Sequence, residues 1–182
     1  MKGLIAYSSR TGNTQKLAQR LADGLANIGE WTLADIQQGI SPEGYDCVLA
    51  GGWIDRAWPD KASRQWMEAI PAAMPCGLFV TMGADPSSEH GRKVMANLEK
   101  ILARHERALG MAVLPGLVDE KLLARVRQMP AQALGDEGEN VKQQMVEAGE
   151  QSRMPTEAEY QAAVRTFRQA ISDVCIDNGG QR

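Results

Sequence analysis

The chain has 182 residues, of which 43% are hydrophobic, and a formal net charge of −3. This length and composition predict one globular domain with a hydrophobic core of ordinary size. The sequence has no basic run and no apolar stretch as long as a membrane span, so neither nucleic acid nor a membrane is an expected partner.

Strands and helices alternate through the first half of the chain. Leucines at helical spacing, from Leu17 to Leu25, predict a helix that packs one face on a sheet. The apolar run after Tyr45 is flanked by turn residues, as in a buried parallel strand. The predicted elements are a strand, a helix, two strands, a loop and a helix, at residues 2–8, 13–28, 30–36, 45–52, 53–60 and 61–70.

The second half continues this alternation and then becomes helical. Ser87 and Ser88 are suited to cap a long helix that we expect to reach Leu109. Thr156 and Glu159 have the spacing of a capping box that opens the last helix. The predicted elements are a strand, a loop, a helix, a strand and three helical segments, at residues 76–82, 83–86, 87–109, 111–118, 119–129, 139–148 and 156–172.

Strands that alternate with helices favour a parallel sheet covered by helices on both faces. We therefore predict an α/β fold with a doubly wound, five-stranded parallel sheet. Residues 119–155 include a polar stretch too short to form a core of its own, so we interpret them as an appended helical segment before the C-terminal helix. Residues 1–182 are expected to form a single domain.

The cysteines and histidines do not point to a metal or catalytic centre. The three cysteines form no Cys-x-x-Cys pair, so neither a disulfide framework nor a zinc site is expected at Cys47, Cys76 or Cys175. His90 and His105 are interpreted as surface residues, and no catalytic or metal-binding side chain is expected. The N-terminus also lacks the apolar core of a signal peptide, and these features together indicate a reduced, cytoplasmic protein.

An apolar strand runs directly into a hydroxyl-rich turn that opens the first helix. A helix N-terminus binds anions because its first N–H groups are unpaired and carry partial positive charge. Gly12 lets the backbone approach a ligand, and Asn13 tolerates the dihedral angles of such a turn. We therefore predict a phosphate site, the alternative being an ordinary turn with Ser/Thr capping. The predicted site residues are Ser9, Arg10, Thr11, Gly12, Asn13 and Thr14.

This turn is neither a Walker loop nor a Gly-x-Gly-x-x-Gly fingerprint, so a nucleoside triphosphate or a dinucleotide is not the expected ligand. Its string Ser-x-Thr-Gly-Asn-Thr, at the end of the first strand, resembles the phosphate loop of flavodoxins, which holds the phosphate of FMN. The resemblance implies FMN as the cofactor and a flavodoxin-like strand order of 2-1-3-4-5. In that order the ligand lies where strands one and three meet.

The loops after the third and fourth strands are expected to meet at the same place. Trp53 follows the third strand directly and is suited to stack on the flat flavin ring, while Trp58 flanks the ring or covers the loop. Gly83 and Ala84 allow backbone N–H groups to approach the edge of the ring. Alternatively, both tryptophans are packing residues and the later loop is an ordinary connection. The predicted ring-binding residues are Gly52, Trp53, Ile54, Asp55, Trp58, Thr81, Met82, Gly83 and Ala84.

Three segments, at 51–61, 79–86 and 116–119, resemble one family of flavodoxin-domain proteins more closely. Its members are single-domain flavoproteins, some of which accompany reductases, and this implies electron delivery to a redox partner protein. The chain departs from the family at Gly52, where the family has Phe, and at the end of the fifth strand, where it often has Cys.

The resemblance therefore predicts an FMN-binding electron carrier that serves a partner reductase. One alternative is an FMN-dependent NAD(P)H:quinone-type oxidoreductase. Another is a binding module with the same fold and no redox function.

Overall fold

Strands and helices alternate along the chain, as the apolar pattern predicts. The computed structural model describes residues 1–179, and the surroundings of side chains through residue 173, so that Cys175 lies outside the described side chains. The strands are β1 (Lys2–Tyr7), β2 (Glu30–Asp35), β3 (Cys47–Asp55), β4 (Trp58–Pro59), β5 (Cys76–Met82) and β6 (Ala108–Pro115). The helices are α1 (Asn13–Leu25), α2 (Lys61–Ala69), α3 (Glu89–Leu102), α4 (Glu120–Gln128), α5 (Gly138–Glu150) and α6 (Glu157–Gly179).

Five parallel strands form the sheet in the order β2-β1-β3-β5-β6, which confirms the predicted flavodoxin-like fold. The strand counted fourth in the sequence prediction is β5, because the short β4 pairs antiparallel with the end of β3. The chain moves from β1 outward to β2 and then returns to β3 on the other side of β1. The carboxyl ends of β1 and β3 therefore flank the switch point where ligands bind in such sheets.

Helices cover both faces of the sheet and bury two apolar clusters. On one face, α1 and α6 pack over strand residues such as Ile5 and Phe79. On the other face, α2 and α3 cover residues such as Val48 and Leu78. The last helix, α6, buries one apolar stripe in the core, at Tyr160, Ala163, Val164, Phe167 and Ile171.

The predicted bounds differ from the observed ones most clearly at two places. The segment 53–60, expected as a loop, is a hairpin, because β3 continues to Asp55 and pairs with β4. The third helix ends at Leu102 rather than near Leu109. The helix ends early because the chain before Leu109 already pairs with the sheet. The N–H of Cys76 donates to the carbonyl of Arg107 at 3.1 Å, and β6 begins at the next residue.

His105 follows α3 and is buried at 9% exposure, so its interpretation as a surface residue was wrong. Burial lowers its pKa below the ordinary 6.5, although hydrogen bonds to the backbone of Pro71 and Met74 act in the opposite direction. The unfolded chain therefore binds this proton at a higher pH than the folded protein does.

We expect the free energy of unfolding to fall as the pH drops below 6.5, because protonation of His105 favours the unfolded state. Above that value the contribution of His105 is fully present, and it is lost as the pH falls through the lowered pKa of the folded state. Urea unfolding of the wild type and of His105→Gln, between neutral and mildly acidic pH, measures how the free energy of unfolding depends on pH. A slope against pH that is the same in both proteins would contradict the assignment.

The appended segment contains α4, a short 3₁₀ helix at Ala131–Leu134 and α5. It is tied to the end of the sheet by Ser152, whose hydroxyl accepts from the N–H of Val118 at 2.9 Å and donates to the carbonyl of Gly149 at 2.6 Å. The predicted capping box is present, with the N–H of Thr156 2.7 Å from a carboxylate oxygen of Glu159. Among residues 1–179, no helix combines the length and the apolarity required to cross a membrane.

Candidate functional site

The turn after β1 presents an uncapped helix N-terminus. Gly12 precedes α1 with φ 88°, a left-handed conformation that favours glycine. Within the described chain, the first turn of α1 has no side-chain cap and no acidic residue. By contrast, α2, α3 and α4 are capped by the side chains of Asp60, Ser88 and Asp119. The partial positive charge at the start of α1 is therefore available to an anion.

The hydroxyl groups near this helix start have different surroundings. Ser9 accepts from the N–H of Gly12 at 3.2 Å, which shapes the turn. Thr11 is exposed and accepts from the side-chain amide of Asn13 at 3.1 Å. Thr14 is 1% exposed, and its hydroxyl lies 2.9 Å from that of Thr81. The structure thus places Thr14 as a link between α1 and β5, while Ser9 and Thr11 lie at the turn itself.

Trp53 lies directly beside the turn after β1. It continues β3 beyond the buried Gly52 and is half-buried, and Ile54 follows it at the same rim of the sheet. The guanidinium of Arg10 lies 5.4 Å from the centroid of the Trp53 ring, within the range of a cation–π contact. A cation from the turn after β1 and an aromatic ring from β3 therefore meet at the switch point.

Trp58 lies on the other side of the hairpin. Its ring has the guanidinium of Arg64 at 5.5 Å and the ammonium of Lys100 at 5.7 Å from its centroid, so it packs between α2 and α3. Asp55 is exposed at the end of β3. Neither of these two predicted ring-binding residues is among those that line the cleft described below.

The hairpin turns through two residues in the left-handed region. Arg56 has φ 49° and Ala57 has φ 65°. A two-residue turn with both central φ values positive has the twist that suits a hairpin, but it usually contains Asn or Gly. The side-chain amide of Asn97 in α3 donates to the carbonyl of Ala57 at 2.9 Å and holds this turn against the body of the protein.

Replacement of Ala57 by glycine is expected to raise the free energy of unfolding by about 1 kcal/mol, because glycine removes the clash of Cβ in a left-handed residue. Thermal unfolding of the variant measures the gain. Ala103 is the capping residue that directly follows α3 and has φ −61°, so Ala103→Gly is a matched control that should instead lose stability. A loss of stability in both variants would show that the turn is not strained.

The end of β5 and the small residues that follow it lie at the same edge of the sheet as the turn after β1 and the end of β3. Thr81 and Met82 are buried, and Gly83 and Ala84 are half-buried. A Cβ at Gly83 would lie 2.5 Å from a methyl of Val118, so only glycine allows the loop after β6 to approach. Gly116 is buried in turn, and a Cβ there would lie 3.1 Å from the amide nitrogen of Asn13.

The ends of four strands enclose one cleft of about 120 Å³. It brings together eight of the fifteen residues predicted for the site, and the other seven, Ser9, Gly12, Thr14, Gly52, Asp55, Trp58 and Ala84, are not among its lining residues. Its lining residues are Arg10, Thr11, Asn13, Trp53, Ile54, Thr81, Met82, Gly83, Gly116, Leu117, Val118, Asp119 and Leu122.

The wall formed after β6 was missed as part of the site. Leu117 is 51% exposed although it follows a buried strand, and Leu122 comes from α4 in the appended segment. The side-chain amide of Asn13 donates to the carbonyl of Leu117 at 2.9 Å and fixes this wall against the turn after β1. The sequence signal for this wall is Leu117, an apolar residue that directly follows Pro115 and Gly116 at the end of the last strand.

Comparisons with known proteins agree with this architecture. The family model described as flavodoxin domain matches residues 4–168. The flavodoxin-like domain-containing protein BilS of Clostridioides difficile is 33% identical over 169 residues, which cover 90% of this chain and 93% of that protein.

Solved structures share the fold at low sequence identity. A flavodoxin from the domain Archaea has a TM-score of 0.60 and 11% identity, covering 96% of this chain and 99% of its own. The rubredoxin oxygen:oxidoreductase of Desulfovibrio gigas has a TM-score of 0.54 and 13% identity, covering 93% of this chain and 37% of its own. These two structures support the fold alone.

Proposed function

The chain belongs to the flavodoxin domain family, and on that premise we propose that it binds FMN and carries electrons to a redox partner protein. One observation carries the proposal. The uncapped start of α1 and the ring of Trp53 face one cleft at the switch point of the sheet. An anion site beside an aromatic surface fits a ligand that has a phosphate at one end and a flat ring at the other.

The phosphate end fits the residues that are present. The backbone N–H groups at the start of α1 and the hydroxyls of Ser9 and Thr11 would hold the phosphate, with Gly12 allowing its close approach. Arg10 is exposed and adds a positive charge beside the cleft. Asn13 would act mainly by holding the loop after β6 in place.

The ring end fits as well. Trp53 offers an aromatic face, and Leu117 and Leu122 offer apolar surface from the loop after β6 and from α4. Gly83 lies at the cleft without a side chain, so the backbone there can approach the polar edge of a flavin. These residues would bind and orient the ring and exclude water from part of it.

Bound FMN would supply the redox chemistry, accepting and donating one or two electrons. The chain itself would bind the cofactor, orient it and set the charge around it. Arg10 over Trp53 favours an anionic group in the cleft, since opposite charges attract at short range. We further propose that residues 1–182 act as a single flavodoxin-like domain in the cytoplasm, with 119–155 appended to complete the cleft.

One observation favours the alternative of an FMN-dependent NAD(P)H:quinone-type oxidoreductase. The appended segment contributes Leu122 to the cleft, so it could also form part of a substrate pocket. Rapid NADPH oxidation by the purified protein with a quinone, and without a partner protein, would support this alternative over the carrier.

Titration of the apoprotein with FMN and with riboflavin tests the proposal. We expect FMN to bind at least about tenfold more tightly, because hydrogen bonds to a charged phosphate contribute about 1.5–3 kcal/mol each. Thr11→Val, which removes one hydroxyl at similar volume, should reduce the preference without changing riboflavin affinity. Equal affinities for the two ligands would refute the phosphate site, and a protein that takes up neither would refute flavin binding.

A further inference from the structure

The surface between α2 and α3 is basic, although the chain as a whole has a formal net charge of −3. Side chains three or four residues apart lie on the same side of a helix. One such stripe on each helix faces the other helix, because Arg64 of α2 and Lys100 of α3 both contact the ring of Trp58. The stripes are Lys61, Arg64 and Glu68 on α2, and Glu89, Lys93, Asn97, Lys100 and Arg104 along α3 and just beyond it.

Most of the positive charge on these stripes is not neutralised by the protein itself. The stripes carry five cations and two carboxylates. Each carboxylate is paired with a cation of its own stripe, with nitrogen–oxygen distances of 3.9 and 2.8 Å. Within the part of the chain whose side chains are described, the other three cations, Lys61, Lys100 and Arg104, form no ion pair, and all three are exposed. We call the two stripes and Trp58 the basic patch, and its unpaired charge is available to an anionic group.

Trp58 gives the basic patch a fixed aromatic centre. The ring is half-buried, with the guanidinium of Arg64 5.5 Å and the ammonium of Lys100 5.7 Å from its centroid. The side-chain amide of Asn97 donates to the carbonyl of Ala57, next to Trp58, and its oxygen accepts from Nζ of Lys100 at 3.1 Å. The ring and the cations are therefore held in place before anything binds, which lowers the entropy lost on binding.

We infer that the basic patch is the docking surface for an acidic segment of the redox partner protein. The inference rests on the proposed transfer of electrons to such a partner. Ile54 lines the cleft and pairs with Pro59, the neighbour of Trp58, so the patch and the cleft lie on two sides of one hairpin. A partner seated on the patch is then beside the mouth of the cleft. Opposite charges speed its encounter, and Trp and Arg are side chains that dominate binding energy at interfaces.

A protein segment fits the basic patch better than a nucleic acid does. Glu68 and Glu89 lie within the patch and would repel a continuous row of phosphates, as would the negative net charge of the chain. A protein segment can place its carboxylates opposite the unpaired cations alone and an apolar side chain against Trp58. The occupant is therefore a partner with separated acidic residues rather than a uniform polyanion.

An N-acetylated octaglutamate peptide is the probe for this surface, and NMR of the isotope-labelled protein is the measurement. The largest shifts are expected at the indole N–H of Trp58 and at the backbone amides of 61–64 and 93–104. The dissociation constant should be at least about tenfold lower than that of an octaglutamine peptide, because only the first peptide is charged. Added salt should reduce the difference by screening the exposed charges.

Lys61→Glu should raise the dissociation constant of octaglutamate about fivefold. It should fold normally, because an acidic side chain is favourable in the first turn of a helix and Lys61 begins α2. Lys100→Gln is the second variant and should also weaken binding. Arg165→Glu is the matched control, because it changes the charge by the same amount at an exposed residue of α6, on the other face of the sheet. It should keep the wild-type affinity.

Equal affinities for octaglutamate and octaglutamine, or equal losses in Lys61→Glu and Arg165→Glu, would overturn the inference. Tighter binding of an oligothymidylate than of octaglutamate would also overturn it and would assign the basic patch to a nucleic acid. The peptide titrations need no flavin and are run on the apoprotein and on the protein saturated with FMN. A separate FMN titration therefore distinguishes failure of cofactor binding from failure of the docking surface.

Discussion

Replacing Trp53 by alanine is expected to weaken FMN binding by about 1–3 kcal/mol, through lost aromatic contact and lost apolar burial. The side chain is half-buried and lines the cleft next to the turn after β1. Fluorescence titration measures the affinity, and flavin fluorescence in the bound state should also be quenched less in the variant. The effect on riboflavin should be similar, because the loss concerns the ring.

Trp58→Ala is the matched control for this experiment. Trp58 packs between Arg64 and Lys100 on the far side of the hairpin, so its removal should cost stability more than FMN affinity. Affinity and quenching that remain at the wild-type level in Trp53→Ala would place the ring elsewhere. A larger loss of affinity in Trp58→Ala than in Trp53→Ala would have the same meaning.

Gly51→Ala is expected to lower the free energy of unfolding by about 3 kcal/mol, at the upper end of the usual cost of overpacking a core. A Cβ at Gly51 would overlap the ring of Phe79, which is 0% exposed and cannot move into solvent. Gly51 is also paired with the last residue of β1, so the backbone has little freedom to yield. Urea unfolding monitored by circular dichroism measures the loss.

A double variant tests whether the ring of Phe79 causes this clash. Phe79→Leu replaces the ring with a smaller aliphatic side chain, so the cost of Gly51→Ala should be much smaller in that background than in the wild type. Additive losses in the double variant would show that the strain arises from contacts other than the ring of Phe79.

The sequence predicts the sheet well because buried parallel strands are near-continuous apolar runs, and the strand order follows from the resemblance. The hairpin at 53–60 escaped prediction for a physical reason. Its turn uses Arg56 and Ala57 at positive φ, where sequence patterns rely on Asn or Gly as the signal. Tertiary support from Asn97 replaces the local propensity, and such support is not visible in the sequence.

In the candidate site, too, local sequence patterns could be predicted, whereas features that depend on tertiary packing could not. The turn after β1 can be selected as a candidate phosphate site because a helix start preceded by glycine and hydroxyl residues is a local pattern. Which way each hydroxyl faces depends on packing, so the sequence does not reveal that the hydroxyl of Thr14 contacts that of Thr81 inside the protein. Leu122 was missed because its place in the cleft depends on how the appended segment folds back.

The hydrogen bond from Asn13 to the carbonyl of Leu117 joins residues 104 positions apart and has a consequence for biosynthesis. The cleft is assembled from residues between Arg10 and Leu122, so a nascent chain has no complete site until Leu122 has left the ribosome. Contacts between such distant residues form late, because the loop that joins them must first be closed. We therefore expect cofactor uptake to follow synthesis of about two thirds of the chain, so that the flavin stabilises the folded product rather than guiding its early folding.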